Sequence, residues 1–315
     1  MNIFSVIKNW STRLYKVNYF TQRNTLLIRV FSLLVIVITL YFISVAVLEN
    51  GKKSNVNSTI NSLKATLNNS HNSIKDIWLQ GSFEDAKIWA SDPEFLKNTA
   101  VLLQAPETPN ALAQVTAREE IRAYFGDRLT HLGNLSFFVI SPDFINLVSS
   151  RDEDVGMVHL MVEGDTNPLE KVFNGYNQFI HPFISKVVLL DKNGNLVNDY
   201  PIMFIVIPIK DAHGKIIAAL SLRLDPFDDF SAIMRASRIG VSGETYLVNK
   251  AGILISDSRF LDQLNGAGIL DNERHSMLHV EIRDPGLNLL TSFNPEQTNK
   301  ELPYTFALEQ VLKGT

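Results

Sequence analysis

An uncharged run of 19 residues near the N-terminus constrains this chain more than any other feature. It extends from Val30 to Leu48 and consists mainly of Leu, Ile, Val and Phe. A helix of that length rises about 29 Å at roughly 1.5 Å per residue, which matches the hydrocarbon core of a bilayer. The run therefore predicts a transmembrane helix, which we place at residues 25–48.

The charges on either side of this run predict its orientation. Five basic residues and no acidic residue precede it, whereas Glu49 follows it directly. By the positive-inside rule, residues 1–24 form a cytoplasmic tail, and the rest of the chain lies in the periplasm of a single-pass inner-membrane protein. A cleaved signal peptide is the alternative; the run is longer than a usual signal core and no convincing small-residue cleavage site follows it.

Charge and cysteine content exclude several classes of protein. The net charge of −4 and the pI near 6.0 are not those of a nucleic-acid binder, whose phosphate contacts need a basic surface. The absence of Cys rules out disulfides, thiolate metal sites and cysteine nucleophiles.

A long amphipathic helix is predicted after the apolar run. Val56, Ile60, Leu63 and Leu67 recur at spacings of three and four residues between Asn, Ser and Lys. Residues 49–110 are assigned to a stalk region on this basis. The stripe is explained equally well by a stalk that dimerises with a second copy of the chain or by a helix that packs on its own domain.

Alternating apolar segments begin at Leu135 and predict an α+β fold. Strands separated by turns run through residues 135–150 and 186–224, and a helix capped by Asp225 with Pro226 at its first position follows. We expect an antiparallel meander, the plan of a PAS-like module, over residues 111–238. A second strand series, which looks incomplete, predicts a partial second module over residues 239–315.

Three segments resemble the extracytoplasmic double Cache domain of bacterial receptors: "FFVISPDFINLVSSRDEDVG", "PIMFIVIPIKDAHGKIIAALSLRLDP" and "SRIGVSGETYLVNKAGILISDSRF". The resemblance implies PAS-like Cache modules, of which the membrane-distal one holds a small-molecule ligand. It also implies a membrane-bound signal-transduction receptor whose cytoplasmic output lies outside this sequence. The chain is accordingly expected to be a C-terminally truncated form of such a receptor.

Catalytic and metal motifs were sought and are not found. The segment Gly240–Glu244 lacks the last Gly of a nucleophile elbow, and no phosphate-binding loop occurs. His275 and His279 are four residues apart without the Glu of a zinc helix, so we interpret them as surface residues. The turn that begins at Asp191 lacks the final Glu of a calcium loop. The prediction is a non-enzyme without metal or cofactor.

The ligand is expected between the sheet and the connection from Arg151 to Phe183. Arg151 is suited to clamp a carboxylate in a bidentate way, and the other candidates in this connection are Tyr176, Phe179, His181 and Phe183. An equally good interpretation pairs Arg151 with Asp152 or Asp154 at the surface and places the two Phe in the core. The alternative function is a membrane-anchored periplasmic protein that binds a partner through a sheet edge.

Overall fold

The computed structural model describes residues 3–131, 134–162, 167–191, 194–240, 243–270, 275–284, 286 and 302–314. Contacts between residues divide the chain into two compact units, residues 1–65 and residues 66–315. The further boundaries expected near residues 110 and 238 stay predictions.

The first unit is helical. Helix α1 spans Ile3–Asn72, and its apolar side chains from Leu26 to Leu48 are almost all exposed. Within the described residues, one helix has the length and composition needed to cross a membrane, and its most apolar window has no buried residue. An apolar helix surface of this kind is stable in lipid rather than in water.

Helices also open the second unit. A π-helical segment, Ser73–Leu79, leads into α2. The helical run breaks at Asp92, whose carboxylate accepts hydrogen bonds from the backbone N–H groups of Glu94 and Phe95. This part of the predicted stalk belongs to the second unit, since Trp89 is buried in its core. The helices before the sheet are α2 (Gln80–Ala90), α3 (Pro93–Leu102), α4 (Pro109–Ala113) and α5 (Ala117–His131).

A five-stranded antiparallel sheet follows and confirms the α+β class. Its order is β2-β1-β7-β6-β3, and a separate two-stranded ribbon pairs β4 with β5. The predicted simple meander is therefore wrong, because the last strand, β7, inserts beside β1. The strands are β1 (Asn134–Ile140), β2 (Asn146–Ser149), β3 (Gln178–Ile184), β4 (Leu189–Leu190), β5 (Leu196–Val197), β6 (Pro201–Lys210) and β7 (Ile216–Leu224).

The two faces of this sheet have different partners. One face, called here the helix face, packs against α2, α3 and α5 around Phe125, whose ring stacks on Phe137 at 4.3 Å. The opposite face is covered by the connection between β2 and β3, including a 3₁₀ turn (Leu160–Val162) and helix α6 (Pro168–Phe173). Both faces are buried, which explains why β6 and β7 are nearly continuous apolar runs.

Residues after β7 form a smaller packed region. Asp225 caps a π-helical turn, Pro226–Phe230, as predicted, and α7 (Ser231–Ala236) follows. The strands predicted beyond residue 242 occur in the described residues as isolated bridges, Val248 with Leu254 and Ile253 with Glu281. Two short helices complete the region, α8 (Leu261–Gly266) and α9 (Phe306–Lys313). The predicted strand at residues 287–292 lies outside the described residues.

Candidate functional site

Polar side chains collect on the sheet face that turns away from the helices. Phe137, Leu220 and Leu222 point to the helix face, so strand alternation directs Ser136, Ser221 and Arg223 to the other side. We call this side the polar face. It also carries Phe138 and Phe204, and its apolar cover comes from Met161, Leu169, Val172 and Leu189.

Strand register brings the polar residues together. In the pairing of β1 with β7, Ser136 is opposite Arg223 and Phe138 is opposite Ser221. In the pairing of β6 with β7, Phe204 is opposite Arg223. Cross-strand pairs have Cβ atoms about 4.5–5.5 Å apart, so Arg223 is flanked by a hydroxyl on one side and a phenyl ring on the other.

His159 lies over this group. Its backbone N–H donates to the carbonyl of Phe144, which fixes the loop, and its ring is 4.7 Å from Phe138 and 5.5 Å from Phe204 between centroids. The imidazole therefore lies against two phenyl rings from the strands on either side of β7. Burial lowers the pKa of His159 to about 3, so the ring is neutral at any ordinary pH.

Three buried polar atoms on the polar face have no hydrogen-bond partner among the described residues. They are Oγ of Ser136, Oγ of Ser221 and Nε2 of His159, and each of these residues is at most 3% exposed. More than nine in ten buried polar groups in proteins are bonded, and each unmade bond costs about 1–3 kcal/mol. Three such atoms on one face indicate a place for a polar molecule.

Two arginines supply positive charge at the edge of the polar face. Burial lowers the pKa of Arg223, and the nearby Arg151 lowers it further. The Arg151 guanidinium donates to the carbonyl of Val188 and lies 3.9 Å from the Asp154 carboxylate. Burial raises the pKa of Asp154, although Arg151 opposes that change. Bringing two guanidinium groups together is unfavourable unless anions lie near them. Asp154 lies near both, Glu153 is 3.3 Å from the Arg151 guanidinium, and Asp225 is near Arg223.

The residues proposed from sequence are distributed over several surroundings. Arg151 borders the polar face, and Phe183 lies on it, 6.0 Å from Phe204 between ring centroids. Phe179 lies on the helix face, edge-on to Trp78 at 5.7 Å. His181 is exposed, and so is Tyr176, at 67%.

Sequence reasoning missed Ser136, Ser221, Arg223 and His159, although three of them left a readable signal. In the run "ALSLRLD", Ser221 and Arg223 are two residues apart within a strand that is otherwise apolar, and Ser136 interrupts "LSFF" in the same manner. Polar residues at alternate positions of a strand share one face. His159 left no such signal, because it lies in a loop.

The side chain of His275 is 44% exposed, in line with the surface position predicted for it, and it also has neighbours. Its ring stacks on Phe227 at 3.9 Å, and its Nδ1 is 3.4 Å from the Asp257 carboxylate. No group of three or more His, Asp or Glu side chains that could hold a metal converges in the parts of the chain that the structure describes.

Comparisons with known proteins give distant structural likenesses. No family model and no curated protein matches the chain. The sensor domain of the V. cholerae histidine kinase DctB aligns with a TM-score of 0.47 and 10% identity, covering 79% of this chain and 80% of that one. The E. coli DcuS sensor domain aligns with a TM-score of 0.32 and 15% identity, covering 47% of this chain and 86% of that one. The ligand-binding domain of a Campylobacter jejuni chemoreceptor in complex with L-valine aligns with a TM-score of 0.39 and 14% identity. The alignment covers 70% of this chain and 79% of that one.

Proposed function

We propose that this chain is the extracytoplasmic sensing region of a membrane receptor, anchored by one transmembrane helix within this chain, and that a small carboxylate binds on the polar face of its sheet. The observation that carries the proposal is the set of three buried, unpartnered polar atoms beside Arg223 in an otherwise apolar setting. A protein that only used this face as core would gain stability by replacing these polar groups with apolar ones. Their presence is explained when a ligand supplies their missing bonds.

The charge of the site favours an anionic ligand group. A guanidinium group recognises a carboxylate through two parallel hydrogen bonds, and this interaction is stronger away from water. Arg223 is 4% exposed, and Arg151 is near enough to affect its pKa. A ligand carboxylate would join Asp154, which already lies near both guanidinium groups. Among the described residues, neither serine hydroxyl on the polar face is hydrogen-bonded to a base, so the site gives no support for catalysis.

A short stretch of chain and one hydrogen bond connect the site to the long helix. Asp225 is two residues beyond Arg223, and its carboxylate caps the turn at Phe227 with a 2.8 Å hydrogen bond. That turn continues into α7, which ends at Ser237, and the hydroxyl of Ser70 on α1 donates to the Ser237 hydroxyl at 2.6 Å. A ligand that favours one arrangement of β7 would thereby shift the equilibrium of the attached helix, with a coupling of about 1–3 kcal/mol.

The exposed stripe on α1 fits a second copy of the same chain. Val56, Ile60, Leu63 and Leu67 alternate in spacings of four and three residues, and each is at least 42% exposed. This is the seam pattern of a coiled coil. We propose that the receptor dimerises along this stripe and that residues 25–48 cross the inner membrane, with the N-terminus of the chain in the cytoplasm. Light scattering of the chain in detergent measures the dimer directly, and a monomer would contradict it.

Replacing Arg223 by Lys should weaken the response to carboxylates while the fold is kept. Lys retains the charge but lacks the planar fork, so we expect a carboxylate that stabilises the wild-type chain to bind at least ~10-fold more weakly. The measurement is a screen of carboxylates, amines and nucleobases by the intrinsic fluorescence of thermally unfolding full-length chain in detergent. Ligand at about 100 times its Kd stabilises the native state by roughly 2.7 kcal/mol.

The matched control for this screen is Arg128→Lys. Arg128 is exposed on α5, where its guanidinium stacks over the Tyr124 ring at 3.9 Å, away from the polar face. The control variant should respond like the wild type. A folded wild-type chain that responds to no small molecule would overturn the sensing role and favour the partner-binding alternative.

A further inference from the structure

We infer that the ligand is a short hydroxy- or oxo-carboxylate, whose uncharged oxygen accepts a hydrogen bond from Nε2–H of His159. The inference rests on the proposed function, because it assigns the second recognition point of the same site. Arg223 recognises the carboxylate of the ligand, and His159 recognises an uncharged oxygen elsewhere in the same molecule.

The hydrogen bonds of His159 determine which of its ring nitrogens carries the proton. The backbone N–H of Met161 donates to Nδ1 at 3.2 Å, so Nδ1 uses its lone pair and has no hydrogen. A neutral imidazole then has its proton on Nε2. The ring is fully buried between phenyl rings, which disfavours the doubly protonated, charged form.

Nε2–H is consequently a buried donor on the polar face with no acceptor among the described residues. Among the described residues no atom accepts from it, and the two aromatic neighbours, Phe138 and Phe204, offer only ring faces and edges. The hydroxyls of Ser136 and Ser221 belong to the same face and are also unpartnered. One donor and two hydroxyls, all uncharged, therefore surround the part of the ligand that lies away from the guanidinium groups.

This set of groups distinguishes between classes of carboxylate. An ammonium group has only donors and cannot accept from Nε2–H, so an amine at this position is disfavoured. An alkyl chain leaves the donor unsatisfied, and such a loss is worth roughly a 10- to 100-fold weaker affinity. A keto or hydroxyl oxygen accepts from Nε2–H, and the serine hydroxyls can rotate to donate to it or accept from it.

The test is a titration of the full-length chain with matched three-carbon to five-carbon acids. The probes are propanoate, 2-hydroxypropanoate, 2-oxopropanoate and alanine, with the longer homologue of each. We expect the hydroxy or oxo acid of at least one chain length to bind ~10-fold or more tightly than both its alkyl and its amino counterpart.

Two variants of His159 assign that preference to Nε2. In H159Q the amide nitrogen takes the place of Nε2 and keeps the donor, whereas in H159N the side chain can still accept from Met161 but has no group at the Nε2 position. We expect H159Q to keep the preference for the oxygen-bearing acid and H159N to lose it. The control H181N, at the exposed His181, should leave the preference unchanged.

The outcomes separate this inference from the proposed function. Carboxylates that bind through Arg223 without any preference for the oxygen-bearing acid, or a preference that survives in H159N, would overturn the inference and leave the sensor in place. Binding of no carboxylate at all would overturn the carboxylate site and the inference together.

Discussion

Acidification should destabilise the sheet-containing unit steeply, and His159 should account for most of the effect. In the unfolded chain this histidine takes up a proton below about pH 6.5. In the folded chain its pKa is lowered to about 3 by burial, so it stays neutral over the interval between the two values. The unfolded state then binds more protons than the native state, and the free energy of unfolding falls as the pH falls from about 6.5 to about 3.

The expected loss is about 1.4 kcal/mol per pH unit, or roughly 3 kcal/mol between pH 6.5 and pH 4. Urea unfolding followed by tryptophan fluorescence at several pH values measures it. H159N removes the titrating imidazole. The free energy of unfolding of this variant should therefore fall less steeply with falling pH than that of the wild type, even though the variant loses packing. Parallel pH curves for the wild type and H159N would show that the imidazole of His159 is not held neutral.

Replacing Gly156 by Ala should cost about 2–4 kcal/mol, because it combines backbone strain with a backbone collision. Gly156 has a φ of +74°, and a Cβ atom there would be 2.5 Å from the backbone nitrogen of Pro109 at the start of α4. Its N–H also donates to the Asn146 carbonyl at 2.8 Å, so the loop that positions His159 cannot shift freely. We expect a lower free energy of unfolding together with weaker ligand binding.

Gly214→Ala is the matched control for this substitution. Gly214 has a similar φ of +80°, but nothing lies within 4 Å of the added Cβ. We therefore expect Gly214→Ala to lower the free energy of unfolding by about 1–2 kcal/mol, from backbone strain alone, and to leave ligand binding unchanged. Equal losses in the two variants, measured by urea unfolding, would mean that the contact with Pro109 does not matter.

The sequence was sufficient for the longest elements, because local patterns determine them. The predicted strands around residues 201–209 and 215–224 are close to β6 and β7, and the cap at Asp225 is where it was expected. Strand order was not predictable in this way. The pairing of β1 with β7 joins residues about 85 apart, and no local pattern reports such a partner.

Register irregularities explain why the site was only partly predicted. Phe179 and Phe183 are four residues apart, so a regular strand would place both on one face. A bulge between Ile180 and Phe183 shifts the alternation, and the two rings lie on opposite faces. Strand β4 is shorter than the apolar run "KVVLL" suggested, because Val187 and Val188 are exposed, whereas Leu189 enters the core.

Unfolding of the Ser221→Ala variant, with and without the best carboxylate from the screen, tests the central claim most directly. The Ser221 hydroxyl is fully buried and without a partner among the described residues, so an apolar replacement should raise the free energy of unfolding of the ligand-free chain by about 1 kcal/mol. The same replacement should reduce the stabilisation that the ligand gives, since a ligand bond is lost. For a ligand site, we therefore expect S221A to raise the free energy of unfolding of the ligand-free chain and to lower the additional stabilisation that the ligand gives. A ligand-free chain that is destabilised by S221A, with its ligand response unchanged, would identify Ser221 as part of an ordinary core and contradict the account.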